Sequence, residues 1–181
     1  MKRNIGSKNV LYPTPAVVVG AMNGDVPTWT LVAHIGIPAH DRVMVSLAKP
    51  HFINHLVREA GVFSINLVDE EWLAKADHCG CVSGASESKA DVFAWTAGDA
   101  GAPIIDEARL SMECSVEDVW ECGAFENFVA SVANTYAEES ILNEKGKVGF
   151  GTLYKPVLFE MPGYTYLSLG DVVARCKHVG E

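Results

Sequence analysis

The sequence predicts a largely antiparallel β barrel decorated with short helices. Three observations point there: most recognisable elements are strands, tight turns join successive strands, and the intervening helical stretches are short. At 181 residues, with no internal repeat, linker or compositional break, the chain reads as one domain spanning 1–181.

The elements follow in order. Ala16–Met22 (AVVVGAM) is β-branched and bounded by Tyr12-Pro-Thr-Pro before and Asn23-Gly24-Asp25 after, a hairpin signal between two apolar runs. Thr28–Gly36 is the return strand, with Trp29, Leu31, Ala33 and Ile35 on one face and Thr28, Thr30, Val32 and His34 on the other. Arg42–Ala48 is a third strand. Phe52–Glu59 carries apolar residues at 52, 53, 56 and 57, the spacing of a short amphipathic helix, and Gly61 follows where a helix-ending glycine belongs. Val62–Val68 is a fourth strand, and Glu70–Ala76 a helical turn leading into the loop Cys79–Phe93. Beyond Ala102-Pro103-Ile104-Ile105, a strand over Ala108–Val116 is expected to be broken by acidic residues. Asn127–Tyr136 is the next strand, Ser140–Lys145 a turn, Gly149–Phe159 an apolar connector, and Gly163–Gly170 a closing hairpin edge.

A formal net charge of -9 argues against nucleic acid, whose phosphates demand a basic face, and against docking on anionic membranes. MKRNIGSKN has a basic start with no apolar stretch behind it, and the longest apolar run has strand length. A soluble, cytoplasmic protein is expected. Five cysteines at irregular spacing, including Cys79-Gly80-Cys81, fit free thiols better than a zinc hairpin. The pair His51 and His55 lacks a third ligand at matching spacing, so no metal is expected.

Two segments suit an anion. In Cys79–Phe93 (CGCVSGASESKADVF), small residues let backbone N–H groups converge, and Lys89 adds one cation. A solvated surface turn accounts for that composition equally well. Ser46-Leu47-Ala48-Lys49-Pro50-His51 opens a helix and joins a hydroxyl, a cation and free N–H groups. Lys49, His51 and Lys89 together could meet one anionic group, with the polar face of the second strand beside them. There is no GxGxxG behind a strand, no Walker loop and no Gly-x-Ser-x-Gly elbow.

Taken in order, YPTPAVVVGAMNGDVPTWTLVAHIGIPAHDRVMVSLAKPHFINHLVREAGVFSINL and CGCVSGASESKADVF resemble the flavin reductase-like, FMN-binding split-barrel family that includes flavoredoxin. The similarity covers roughly residues 10–135, with a weaker echo in Gly163–Gly170. It implies a six-stranded antiparallel split β barrel that forms a homodimer and binds FMN non-covalently near the subunit interface. By position, Thr28, Trp29, Thr30, Leu31, Val32, Ala33 and His34 would line the isoalloxazine. Ser46, Leu47, Ala48, Lys49, His51 and Phe52 would border the ribityl phosphate. Ser83, Gly84 and Lys89 would complete the phosphate end or flank the ring's polar edge, and Tyr164 or Tyr166 would stack on the flavin or cover it. Members often carry Asn at the place of Thr28, Trp at that of His34, Ser or Thr near Ile53-Asn54, and His at that of Phe125.

The resemblance implies an oxidoreductase passing electrons from NAD(P)H through FMN to free flavin or another acceptor, with no catalytic side chain required. The alternative is a non-catalytic, flavoredoxin-like FMN electron carrier serving a redox partner protein. A split-barrel module binding haem or a pyridoxal-type phosphate is a third reading. Trp120 and the closing hairpin are the expected dimer surface.

Overall fold

In the computed structural model, which describes residues 1–179, the predicted hairpin forms at its predicted place. Strand β1 is Thr14–Pro15, β2 is Val17–Asn23 and β3 is Val26–Val32. The register of β2 with β3 runs from Val17↔Val32 to Asn23↔Val26, around a two-residue turn in which Gly24 has φ +63°. Then come β4 (Ile35–Ala39), β5 (Arg42–Ala48), α1 (Ile53–Ala60), β6 (Val62–Leu67) and α2 (Leu73–Cys81). The rest of the chain adds β7 (Trp95–Ala97), β8 (Pro103–Ile105), β9 (Leu110–Cys122), β10 (Phe125–Ala137), a short 3-10 turn at Glu139–Ile141, β11 (Val157–Glu160) and β12 (Thr165–Ser168).

Seven strands form the principal sheet in the order β3-β2-β6-β9-β10-β5-β4, each neighbour antiparallel. Strands β3 and β4 occupy opposite edges, yet only Ala33 and His34 separate them in sequence. Two residues span only a few ångströms, so the sheet must curl until its edges adjoin. The predicted single strand Thr28–Gly36 is therefore two, because the chain leaves β2 at Val32 and joins β5 at Ile35. The crossing is held by Ser46 N–H donating to His34 O (2.8 Å) and Thr14 Oγ1–H donating to Ala33 O (2.7 Å).

Alternation sorts the side chains into two cores. Val17, Val19 and Ala21 of β2 pack inside the barrel with Val43, Val45 and Leu47 of β5, Phe63 and Ile65 of β6, and Phe128. Helix α1 plugs this interior with Ile53, Leu56 and Val57, at i, i+3 and i+4, and ends at Gly61 (φ +67°). Ala16, just ahead of β2, and Val18 on its outer face pack with Trp29, Trp72, Ala76, Cys79 and Phe93 under α2. Gly20 stands opposite Trp29, and a Cβ there would lie 2.3 Å from the indole, so the ring lies on bare backbone.

Two expectations need correction. Helix α2 runs to Cys81 rather than ending at Ala76, because Ala76 and Cys79 bury one face against Trp29 and Phe93. Strand β9 runs unbroken through its acidic residues. Glu113 is fully buried there, with Oε1 accepting from Ala100 and Ala102 N–H (both 2.9 Å) and Oε2 from Asn134 Nδ2 (2.8 Å) and the Tyr136 hydroxyl (3.1 Å). Burial works to raise its pKa, but these bonds outweigh burial and hold the carboxyl below the ordinary glutamate range.

Candidate functional site

The outer surface beside the β3–β4 crossing carries two joined hollows. The first, about 210 Å³, lies between β3, the start of α1 and the segment following α2. Thr28 and Thr30 face it, and among the described residues neither hydroxyl has a protein hydrogen-bond partner. Phe52 and Ile53 bring the N-terminal end of α1, which has no side-chain cap. Ser83 and Gly84 close the opposite wall. A Cβ on Gly84 would meet Phe52 Cδ1 at 2.8 Å and Thr28 Oγ1 at 2.9 Å, so only glycine leaves that wall open.

Lys89 lies in the same hollow and is only 4% exposed. Its ammonium donates to Trp29 O (2.9 Å) and Cys79 O (2.7 Å), tying the segment after α2 to β3. A lysine has three N–H donors, so one remains for a ligand. Burial lowers its affinity for the proton, partly offset by Cys79 and Glu87. His51 is also held below the ordinary histidine value, by enclosure first and the Lys89 charge second. Burial pushes the Cys79 thiol up to about 11, which leaves it a neutral packing residue.

The second hollow, about 370 Å³, meets the first at His51, Gly80 and Cys81. Leu31, Val32, Ala33 and His34 run along its floor, with Ser46 and Ala48 from β5 beside them. Ser46 Oγ–H donates to Asn127 Oδ1 (2.6 Å), whose amide in turn donates to Trp120 O (3.2 Å). Phe125, Phe159 and Met161 form a mainly apolar wall, and Tyr164 and Tyr166 bring the β11–β12 hairpin over the mouth. The Tyr166 hydroxyl donates to Asp77 on α2, and burial together with that carboxylate raises the phenol's pKa.

Most of the residues expected at a ligand site come together here, with four exceptions in side-chain placement, the first being Val32, which packs in the barrel core. Leu47 points into the barrel, since β5 alternates and only Ser46 and Ala48 face the cleft. The Trp29 indole packs in the outer core, leaving its backbone to the first hollow. Lys49 turns outward to an ion pair with Glu121 and does not join His51 and Lys89. Residues singled out by no sequence signal also line the cleft: Tyr12 touches it through His34, and Asp77, Phe159 and Met161 enter from distant segments. Among the described residues, no three His, Cys, Asp or Glu side chains gather as metal ligands.

The flavin reductase like domain matches residues 9–167 of the sequence. The chain belongs to this family. Its structure superposes on flavoredoxin from Methanosarcina acetivorans with a TM-score of 0.92 and 28% identity, over 100% of this chain and 98% of that one. An FMN-binding protein from Thermus thermophilus, 21% identical, shares the fold with a TM-score of 0.83 over 97% and 99% of the two chains. A NADPH-flavin oxidoreductase from Streptomyces viridifaciens is 26% identical over 123 residues, covering 66% of this chain. The chain spans 63% of the length of the curated relatives it matches. A mostly β flavin reductase-like split barrel is thus the fold, in a flavin-binding family with FMN-binding structural neighbours. Among the described residues no helix is long and apolar enough to cross a membrane.

Proposed function

We propose that the chain binds FMN non-covalently along the two joined hollows and passes electrons from NAD(P)H to free flavin or another acceptor. The observation that carries this reading is the chemical division of one continuous cleft. Unpaired hydroxyls and a buried ammonium stand at one end and a mainly apolar recess at the other, the polarity of a ligand with a phosphate and a flat ring.

Thr28, Thr30, Ser83 and Lys89, with the amides of Phe52 and Gly84, would hold the phosphate. Leu31 to His34, Ser46 and Ala48 would support the ring, with Tyr164 and Tyr166 over it and His51 at the junction. When bound, the flavin supplies a ring that accepts two electrons from a reduced nicotinamide and returns them to an acceptor. The protein's own residues bind, orient and shield; none is required as an acid or base. The absence of a dinucleotide fingerprint fits a nicotinamide that would stack directly on an exposed ring face.

A carrier of electrons between proteins is the second reading, favoured by the end-to-end match to a flavoredoxin. One experiment separates them: anaerobic NADH or NADPH added to FMN-loaded protein. Rapid loss of the flavin absorbance near its visible maximum supports the reductase. A flavin that stays oxidised with both nucleotides removes it and leaves the carrier.

The same proposal includes a cytoplasmic homodimer. An apolar groove of about 700 Å³, lined by Ile35, Ile37, Met112, Phe150, Leu158 and Leu169, leaves Ile37 82% exposed. A second copy would cover it. Elution at the size of one chain in sizing chromatography would remove the dimer.

A further inference from the structure

The turn that closes the β11–β12 hairpin holds a tyrosine that stability does not explain. Glu160 pairs with Thr165 across the hairpin, so residues 161–164 make a four-residue connection. Within it Tyr164 has φ +51°, a left-handed conformation that glycine and asparagine enter readily and a bulky side chain enters at a cost. Burial offsets little of that cost, because Tyr164 is 77% exposed. Its ring stands edge-on to Phe159, with centroids 6.3 Å apart, and lines the mouth of the second hollow.

One carboxylate oxygen enforces the conformation. Glu160 Oε2 accepts from Gly163 N–H (2.8 Å) and from Thr165 Oγ1–H (3.2 Å), clasping the turn on both sides of Tyr164. A Cβ on Gly163 would lie 2.6 Å from that oxygen, so the clasp also requires the glycine. Tyr164 N–H donates to Met161 O (3.2 Å) and completes the turn. The hairpin behind it is fastened to α2 through the Tyr166 hydroxyl on Asp77. A strained, exposed aromatic on a clasped turn is placed for what enters the hollow beneath it.

The geometry points to Glu160 as a positioning residue, whose clasp sets the Tyr164 phenol against the ring of a bound flavin. Glu160 acts only through Tyr164, since its carboxylate is spent on the turn. Fixing the phenol beforehand removes the ordering cost that a free side chain would incur on binding. The inference rests on the flavin reading for the identity of the ring, and on the turn alone for the placing of the phenol.

The test uses the full chain, with FMN and riboflavin binding followed by fluorescence quenching. Melting of the flavin-free protein and amide exchange at Gly163 are measured beside it. Tyr164→Asn, which suits the left-handed backbone, should melt no lower than the wild type. It should weaken FMN and riboflavin alike by about two- to tenfold, the worth of one aromatic pair. Glu160→Ala should free the Gly163 amide to exchange and weaken both flavins at least about twofold. Glu160→Gln, whose carboxamide oxygen can accept both bonds, should restore protection and affinity. Added to Tyr164→Asn, Glu160→Ala should weaken the flavins no further, because its effect passes through the phenol. A Tyr164→Asn protein that melts lower or keeps full flavin affinity would overturn the inference. So would a Glu160→Gln protein that behaves as Glu160→Ala does, or a Glu160→Ala loss that persists beside Tyr164→Asn. Wild-type protein that leaves both flavins unquenched defeats the flavin reading instead, while Gly163 exchange and the Tyr164→Asn melt still decide the clasp.

Discussion

At one end of the cleft, three short contiguous segments, Thr28–Thr30, Pro50–Ile53 and Gly80–Gly84 with nearby Lys89, supply hydroxyls, amides and one cation. At the other end, residues arrive from Ala16, Leu31–His34, Ser46, Asp77, Phe125 and Phe159–Tyr166, many of them singly. A charged group needs a few donors at close range, and short runs of chain supply those. An apolar recess needs side chains from whichever strands the barrel sets side by side, and no local run specifies it. The polar end is thus a local construction and the apolar end a topological one.

Substitutions at the polar end test that contrast most severely. Lys89→Met should weaken FMN about 10- to 100-fold, the range of a charge-assisted hydrogen bond, while riboflavin, which lacks the phosphate, should lose little. It should also cost about 1–3 kcal/mol of stability, because Trp29 O and Cys79 O lose their donor. Fluorescence titration with both flavins, beside urea denaturation, checks this; equal losses for the two would detach Lys89 from the phosphate. Gly84→Val should be next, costing about 1–3 kcal/mol of FMN binding as the added branches meet Phe52 and Thr28. Unchanged affinity would mean that the first hollow is not the phosphate end.

A smaller effect concerns His51. Its folded pKa lies below the ordinary 6.5, so between the two values the unfolded chain binds more protons than the folded one. Stability is therefore full above about pH 6.5 and declines as pH falls below it, toward the folded value. His51→Gln should flatten that acid-side slope in thermal melts from pH 8 to 5.5, whereas an unaltered slope would assign it elsewhere. The smallest expected change is at Lys49. Lys49→Ala removes an exposed ion pair with Glu121, worth about 0–1 kcal/mol, and should leave FMN affinity within about twofold.

This contrast also sets what was legible in the sequence. The Asn23-Gly24-Asp25 turn, the amphipathic Phe52–Glu59 stretch and the Gly61 stop are short-range signals, and each corresponds to an element within a residue or two. The helical turn expected over Glu70–Ala76 stops short of α2 because CGC resembles a loop in composition, while burial of Cys79 under Trp29 depends on tertiary packing. The acidic residues of β9 look like strand breakers in the sequence because the four donors to Glu113 lie up to 23 positions away. In the cleft, the family resemblance names Ser46, Leu47 and Ala48 together, and the alternation of β5 separates Leu47 from the other two. Tyr12 and Met161 carried no local mark, since 149 positions separate them and only the closed barrel brings them together.

The two-residue passage at Ala33–His34 has a consequence for how this molecule opens. A sheet whose first and last strands are consecutive in the chain has its two edges tied to one another by two residues of backbone. At that passage Ser46 N–H of β5 holds His34 O, continuing the β4–β5 ladder up to the crossing. Whatever occupies the neighbouring recess, which His34 and Ser46 both line, therefore rests on this tie, and amide exchange at Ser46 should slow when that recess is filled.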